Sequence, residues 1–361
     1  DLCISYKDSG VNIDNANAIV EKIGECIYST FNELCINEIG DYSGIISMKK
    51  IKDMEEPVLI TSMDGVGTKT LFVTSLISEN DISIEKTEEM YQNLGKDIVG
   101  HSINDILVKG AQPLFFTDYI ASSALSKNII LNIVDGMSQR AKKYGLPILG
   151  GETAEMPGVY HDNSHDIVGN IVGVCDKDNL IDGKLNVNNG DVCIGLMSNG
   201  PHTNGYSLIR KIFEKYNYSM EIIKNVYNVD NEFIDWLCNP HKPYYDEIML
   251  LLDNNIEING LVHITGGGFL DNIPRVLPKD LTMTIEESNI INPNFKKLQN
   301  MLGCSNEEMY RTFNCGIGFI IICNPKYIEP IQKLYKEHNI ENRMIGSILP
   351  NDINEQVIFF S

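Results

Sequence analysis

The run Pro57-Val-Leu-Ile-Thr-Ser-Met-Asp64-Gly-Val-Gly-Thr-Lys69 is an apolar segment that ends in an acidic turn punctuated by glycine. Pro57–Met63 has the branched side chains of a β-strand, and Lys69–Ile77 takes up helical spacing directly after the turn. Gly65 and Gly67 let backbone N–H groups approach an anion closely. Lys69 adds a cation for a phosphate, and Asp64 offers a hard oxygen to magnesium. A tight strand-to-helix turn capped by Asp64 accounts for the same residues equally well. The spacing is not that of a Walker loop, because no Gly-Lys-Ser/Thr ending follows.

Two neighbouring segments extend this pattern. On a helical wheel, Gly95–Gly110 places Val99, Ile103, Ile106 and Leu107 on one side and Asp97, His101, Asn104 and Asp105 on the other. Such a polar stripe is usually a solvated face, yet Asp and Asn are mediocre helix formers. Short carboxylates and an amide oxygen suit a magnesium site better than an ordinary surface. Gly150-Gly-Glu-Thr-Ala-Glu-Met-Pro-Gly158 follows the apolar run Leu146–Leu149, so paired glycines at a strand end bring Glu152 forward as a further carboxylate. Clustered anions of this kind repel one another unless a divalent cation relieves them.

The second half carries a different chemistry. Ser198-Asn-Gly-Pro-His-Thr-Asn-Gly-Tyr-Ser207 joins a strand to a helix, and His202 is its one group that titrates near neutrality. A surface loop with an incidental histidine explains that segment by itself. In Thr265-Gly-Gly-Gly-Phe-Leu-Asp-Asn-Ile-Pro-Arg275, three glycines opening a helix expose N–H groups to a phosphate, with Arg275 as a forked cation. The competing reading is a flexible hinge. Arg311, Thr312 and Asn314 precede an apolar strand, where they line a cleft or merely begin the strand. His161 and His165 have zinc-like spacing, but they follow a Pro-Gly turn and read as loop residues.

Further strands are expected at Leu114–Ala121, Ile167–Val174, Val192–Ser198 and Gly316–Cys323. Helices are expected at Glu88–Lys109, Lys127–Tyr144, Gly205–Tyr216 and Tyr244–Asn254. The polar stretch Ser78–Glu89 reads as an exposed insertion or loop, and Asn217–Asn231 as a surface excursion. The Asn-, Asp- and Gly-rich segment Asp176–Gly190 marks a boundary between domains at 1–180 and 181–361. A chain of 361 residues accommodates two such cores.

Composition limits the partners. The formal net charge of −20 repels nucleic-acid phosphates and anionic lipid, and no basic run forms a local exception. No stretch approaches the roughly 18 apolar residues needed to span a membrane. The nine cysteines form no CxxC pair, and Cys193, Cys315 and Cys323 sit in apolar runs. That usage suits a reducing compartment, the cytoplasm. The chain begins at Asp1 without a methionine, which leaves targeting of the full gene product open.

In order, SYKDSGVNID, DGVGTK, IND with GAQPLFFTDY, GGETAEMPG, SNGPHTNGYSLIRKI, HITGGGFLDNIPRVLP and EMYRTFNCGIG resemble the phosphoribosylformylglycinamidine cyclo-ligase (AIR synthetase) family. The matching stretches run from about Ser5 to Ile348, nearly the whole chain. DGVGTK marks only a wider superfamily of ATP-using synthases, whereas GGETAEMPG with HTNGYSLIRK and TGGGFLDNIPRVLP is far more specific. The resemblance implies an α+β / α/β two-domain fold. Its N-terminal mixed domain binds ATP and pairs its sheet across a homodimer into a barrel, and its C-terminal α/β domain binds the ribonucleotide substrate. The implied reaction uses ATP and Mg2+ to close formylglycinamidine ribonucleotide into aminoimidazole ribonucleotide.

Carried over by position, Asp64, Gly65, Gly67, Thr68, Lys69, Asn104 and Asp105 form the ATP set, and Asp64, Asp97, Asp105 and Glu152 the metal set. Gly266, Gly267, Gly268, Arg275 and Thr312 form the substrate set, with His202 and Asn204 catalytic. Two features depart from the family. Asn37–Gly44 has fewer glycines than the family's segment before its first long strand, and Ser78–Glu89 is longer. The alternatives are another ATP-using synthase of the same superfamily and a catalytically silent nucleotide-binding protein.

Overall fold

In a computed structural model of the chain, which describes residues 13–124, 126–162, 164–290 and 292–360, the Pro57 run is strand β1, Pro57–Gly65. Most of SYKDSGVNID, and Cys3, lie outside the described residues. The chain divides into two compact units. The first gathers residues up to Ile106 with Gln112–Lys177 and Phe213–Ile223; the second gathers Leu107–Ala111, Asp178–Ile212 and Lys224 onward.

The first unit adds β2 (Gln112–Ser122), β3 (Ile148–Glu155) and β4 (His165–Asp176) to β1, in the order β1-β4-β2-β3. β4 is antiparallel to both β1 and β2, and β2 is parallel to β3. Its helices are α1 (Ile13–Tyr28), α2 (Lys69–Glu79), α3 (Ile84–Leu107) and α4 (Lys127–Lys143). Strand side chains alternate between faces, so Ile167 and Ile171 of β4 and Phe116 and Ile120 of β2 are buried on one side. Gly169 on that face lets Phe116 and Ile98 of α3 close over the sheet. α3 and α4 cross at Gly95 and Gly136, where a side chain on either would strike the other helix's backbone. The opposite face carries Leu59 and Met63, 58% and 70% exposed, beside the partly exposed Phe115, Tyr119, Val168 and Val172.

The second unit holds β5 (Val192–Met197), β6 (Gly260–His263), β7 (Leu281–Glu286), β8 (Ile317–Cys323), β9 (Asn342–Pro350) and β10 (Val357–Phe360), in the order β10-β7-β9-β5-β8-β6. Every residue of β8 is buried. The helices after α4 are α5 (Gly183–Asn186), α6 (Tyr206–Lys215), α7 (Met220–Tyr227), α8 (Asn231–Cys238), α9 (Tyr245–Asp253) and α10 (Gly268–Asn272). They continue with α11 (Glu287–Ile290), α12 (Pro293–Leu302), α13 (Asn306–Thr312) and α14 (Ile328–Glu337). Tyr244, Ile248 and Leu251 from α9 and its N-terminus pack with Ile194, Leu196, Phe319 and Ile321 in one core.

The fold is mixed α and β in both units, and each sheet is open; among the described residues of one chain no barrel closes. Four local expectations are corrected. Ser78–Glu89 is mostly helical, because α2 runs to Glu79 and α3 starts at Ile84. Asn80 closes the short gap by donating to Leu76 O and Tyr218 O and accepting from the Met220 N–H. Asn217–Asn231 contains α7, with Ile223 buried, and Tyr218 packs on Phe72 and Phe213. Gly150–Glu152 lies within β3, because pairing with β2 satisfies its backbone through Glu155. His165 opens β4 instead of lying in a loop; it is buried and shares a 2.8 Å hydrogen bond with Ser122 Oγ. The eight described cysteines are free thiols, and burial pushes the Cys323 thiol up to about 12.

Burial pushes His165 down to about 4. The unfolded chain then binds one more proton than the folded one between that value and the ordinary imidazole pKa near 6.5. The stabilisation is therefore complete above about 6.5 and is lost as pH falls toward 4, by about 3 kcal/mol. Denaturant midpoints measured from pH 7 to pH 4 should fall, and His165→Gln should flatten that fall.

Candidate active site

The end of β1 is built by the sheet, the turn and α3 together. Alternation along β1 puts Ser62 and Asp64 on one face. Ser62 Oγ donates to Asp105 Oδ2 at 2.7 Å. His101 Nε2 lies 3.1 Å from Asp64 Oδ2 and 3.5 Å from Asp105 Oδ2, so two carboxylates converge on one imidazole. Burial opposes charge on His101, but Asp105 and Asp64 outweigh it and push the ring up to about 10. Burial likewise works to raise the Asp64 carboxyl, and the His101 hydrogen bond and charge hold it below the usual carboxylate range. The Gly65 N–H donates to Asp64 Oδ1 at 2.7 Å, which orients the half-exposed carboxylate at the turn. Gly67 has φ +69°, a left-handed conformation that glycine adopts without strain.

One turn and two turns earlier on α3, the polar stripe is interior rather than solvated. Asp97 is fully buried and forms an ion pair at 2.8 Å with Lys69, the first residue of α2, itself fully buried. Asn104 is also fully buried. Asp64, Asp97, Asp105 and Lys69 are thus gathered around the start of α2 and one face of α3, next to Thr68. Glu152 is not with them. It is exposed on β3, and the cross-strand register Asp64–Gly169, Gly169–Asp118, Asp118–Gly151 puts it three strand spacings away, roughly 14 Å. Asp118, on the same transverse line as Asp64, was not apparent from sequence; burial pushes its carboxyl up to about 7. Its side chain lies over Gly151 on the face that Phe116 and Ile120 share, and an added side chain at Gly151 would strike it.

The second unit brings its own set together. His202 sits in the loop between β5 and α6 with φ +63°, fully buried. Asn204 Oδ1 lies against Gly266, close enough that a side chain there would press on it. Gly268 fits under the backbone of Tyr310 and Arg311 at the end of α13. Asn272 laces the glycine loop, donating to the carbonyls of Thr265, Gly266 and Gly268. The Gly268 N–H is already given to Thr265 O, so the loop does not offer all its donors, as the three-glycine reading expects. Arg275 is exposed at the end of the short turn Ile273–Arg275, and the Thr312 hydroxyl donates to Glu308. Asn314 is a stitch: it accepts from Ser198 Oγ and the Gly316 N–H and donates to Gly200 O. His241 and His263 lie beside His202, a juxtaposition of residues far apart in the chain that no local pattern announces.

The sequence matches "AIR synthase related protein, N-terminal domain" over residues 40–175 and "AIR synthase related protein, C-terminal domain" over residues 188–357. It is 38% identical to a phosphoribosylformylglycinamidine cyclo-ligase of Clostridium botulinum (strain Okra / Type B1), over 98% of this chain and 100% of that protein. A crystal structure of E. coli HypE shares the fold at a TM-score of 0.67 and 15% identity, covering 96% of this chain and 94% of that one. A hydrogenase maturation protein HypE crystallised with ATP aligns at 0.64 and 16% identity, over 97% and 92% of the two chains. Likeness at that identity speaks for the fold, whereas near-complete coverage at 38% identity speaks for descent. The chain belongs to the phosphoribosylformylglycinamidine cyclo-ligase family.

Proposed function

We propose that the chain closes the imidazole ring of purine biosynthesis, converting formylglycinamidine ribonucleotide and ATP into 5-aminoimidazole ribonucleotide, ADP and phosphate. The observation that carries this reading is the full-length identity to a curated cyclo-ligase. A formamide carbonyl is a poor electrophile and its oxygen a poor leaving group. Transfer of the γ-phosphoryl group to that oxygen corrects both, after which the ribosyl-bearing nitrogen attacks the formyl carbon and phosphate leaves. The protein contributes positioning and charge neutralisation.

In this reading residues 1–180 bind ATP and dimerise, and residues 181–361 bind the ribonucleotide. The turn Asp64, Gly65, Gly67, Thr68 and Lys69 holds the nucleotide with Asn104 and Asp105. Donor chemistry supports a magnesium site here, since Asp64 and Asp105 bring two hard carboxylate oxygens to the same point at the end of β1. Asp64 and Asp105 would hold the ion with Asp97, and Glu152 completes the set only from a separate part of the sheet. The ion supplies charge neutralisation for the phosphates. Gly266, Gly267, Gly268, Arg275 and Thr312 take the ribonucleotide, Asn204 orients the formyl group, and His202 accepts the proton that the attacking nitrogen loses.

Homodimerisation is supported by the sheet face around Leu59 and Met63, whose apolar side chains are largely exposed among the described residues. A cytoplasmic setting agrees with the free thiols of the described cysteines, and the lack of nucleic-acid or anionic-membrane partners with the net charge; no described helix is long and apolar enough to cross a membrane.

Purified protein supplied with formylglycinamidine ribonucleotide, ATP and magnesium should release ADP and aminoimidazole ribonucleotide in equal amounts; ADP without that product would remove the assignment. Asp64→Asn should lower turnover by roughly a hundredfold or more while melting near the parent, because its carboxylate is half-exposed. Lys69→Met should cost about 3–5 kcal/mol in urea denaturation by stranding Asp97, and adding Asp97→Leu should restore most of it. Neither variant should regain turnover, and a fully active double variant would remove both residues from the nucleotide site.

A further inference from the structure

Three of the chain's seven histidines meet inside the second unit. His202 lies in the loop after β5, His241 in the segment between α8 and α9, and His263 at the end of β6. The His202 and His241 rings stack at 4.0 Å between centroids and 22° between planes. His241 Nε2 lies 2.9 Å from His263 Nε2, and His241 Nδ1 lies 3.3 Å from Thr203 Oγ1. None of the three rings is more than 6% exposed.

This geometry restricts protons. A nitrogen–nitrogen hydrogen bond needs one ring to donate and the other to present a lone pair, so His241 and His263 cannot both carry a proton on that axis. The stacked pair is restricted too, because two imidazolium rings face to face in a dry interior repel strongly. His202 itself has a left-handed backbone that a residue with a side chain adopts only when its surroundings hold it there. The flat face of His241 is part of that hold. Beneath the rings, Gly318 of β8 leaves room for His202 and the Tyr244 hydroxyl, which donates to Met197 O. Phe319 lies against the His263 ring, and Lys242 beside His241 in sequence is paired with Glu247.

We propose that His241 is a positioning residue for ring closure: it fixes the ring plane of His202 by stacking and the tautomer of His263 through the shared proton. The proposal rests on the reading of His202 as the proton acceptor. It assigns no contact between His241 and the substrate. Removing the His241 nitrogens while keeping a flat ring leaves the stack but frees the His263 tautomer. Removing the ring while keeping a polar end does the reverse.

The test compares His241→Phe, His241→Gln and His202→Gln in the full chain, with 15N-histidine spectra of the unsubstituted protein. The spectra should show one protonated and one lone-pair Nε2 coupled across a hydrogen bond; two protonated Nε2 signals would overturn the proposal. His241→Gln, which removes the stack but can still bond His263, should lower kcat roughly ten- to a hundredfold with the KM for ATP within about twofold. His241→Phe, which keeps a flat face against His202, should recover part of that loss. Unchanged kcat in His241→Gln, while His202→Gln is inactive, would overturn the positioning role and leave the reading of His202 standing. Full turnover by His202→Gln would overturn both. If His241→Gln fails to fold, the spectra decide: two protonated Nε2 signals overturn the proposal.

Discussion

An ammonium and a carboxylate, both removed from solvent, join the first residue of α2 to the middle of α3 through Lys69 and Asp97. Dehydrating both charges is expensive, and their mutual attraction repays it only if the geometry is held tightly. The pair therefore ties the turn after β1 to α3 at one angle. The rest of the first site inherits that angle: Asp64 at the turn and Asp105 two turns further along α3 reach the same imidazole, His101. Were the pair replaced by one charge, α3 would gain by turning its polar stripe outward, and the convergence would be lost.

The same stripe explains how a strongly acidic chain keeps carboxylates close together. With a formal charge of −20, the protein cannot rely on its average surface to neutralise them. Two buried or nearly buried cations are supplied locally instead, Lys69 for Asp97 and protonated His101 for Asp64 and Asp105. Each is close enough to act through a direct hydrogen bond instead of through a screened field. Metal-bound nucleotide would then add charge to a site that is already organised around cations, which limits the rearrangement that binding requires.

The second unit is organised by polar stitches rather than by an ion pair. Asn314 joins the Ser198–Gly200 segment to the start of β8, and Asn272 gathers three carbonyls of the glycine loop. Amide side chains suit this work because each carries both donors and an acceptor and no charge to be desolvated. They let residues with left-handed backbones, His202 and Cys315 among them, persist beside a wholly buried strand. The loops that carry His202, Asn204 and the glycines are thus braced before any ligand arrives.

Much of this was legible in the sequence. Branched apolar runs bounded by glycine and proline marked β1, β2, β4, β5 and β8 closely, because a strand's pattern is local. The wheel also separated Asp97, His101 and Asn104 from the apolar side of α3. What it did not contain was the fate of that polar side: helical period reports which residues share a face, not whether water or Lys69 lies opposite. For the same reason β3 was cut short at Gly150, since only the neighbouring strand reveals that the glycines continue the sheet. The family was determined by the sequence alone, through motifs spread over nearly its whole length. The tertiary structure alone decided the separation of Glu152 from Asp64 and the meeting of His202, His241 and His263, because those distances are set by strand order and loop paths that link residues far apart in the chain.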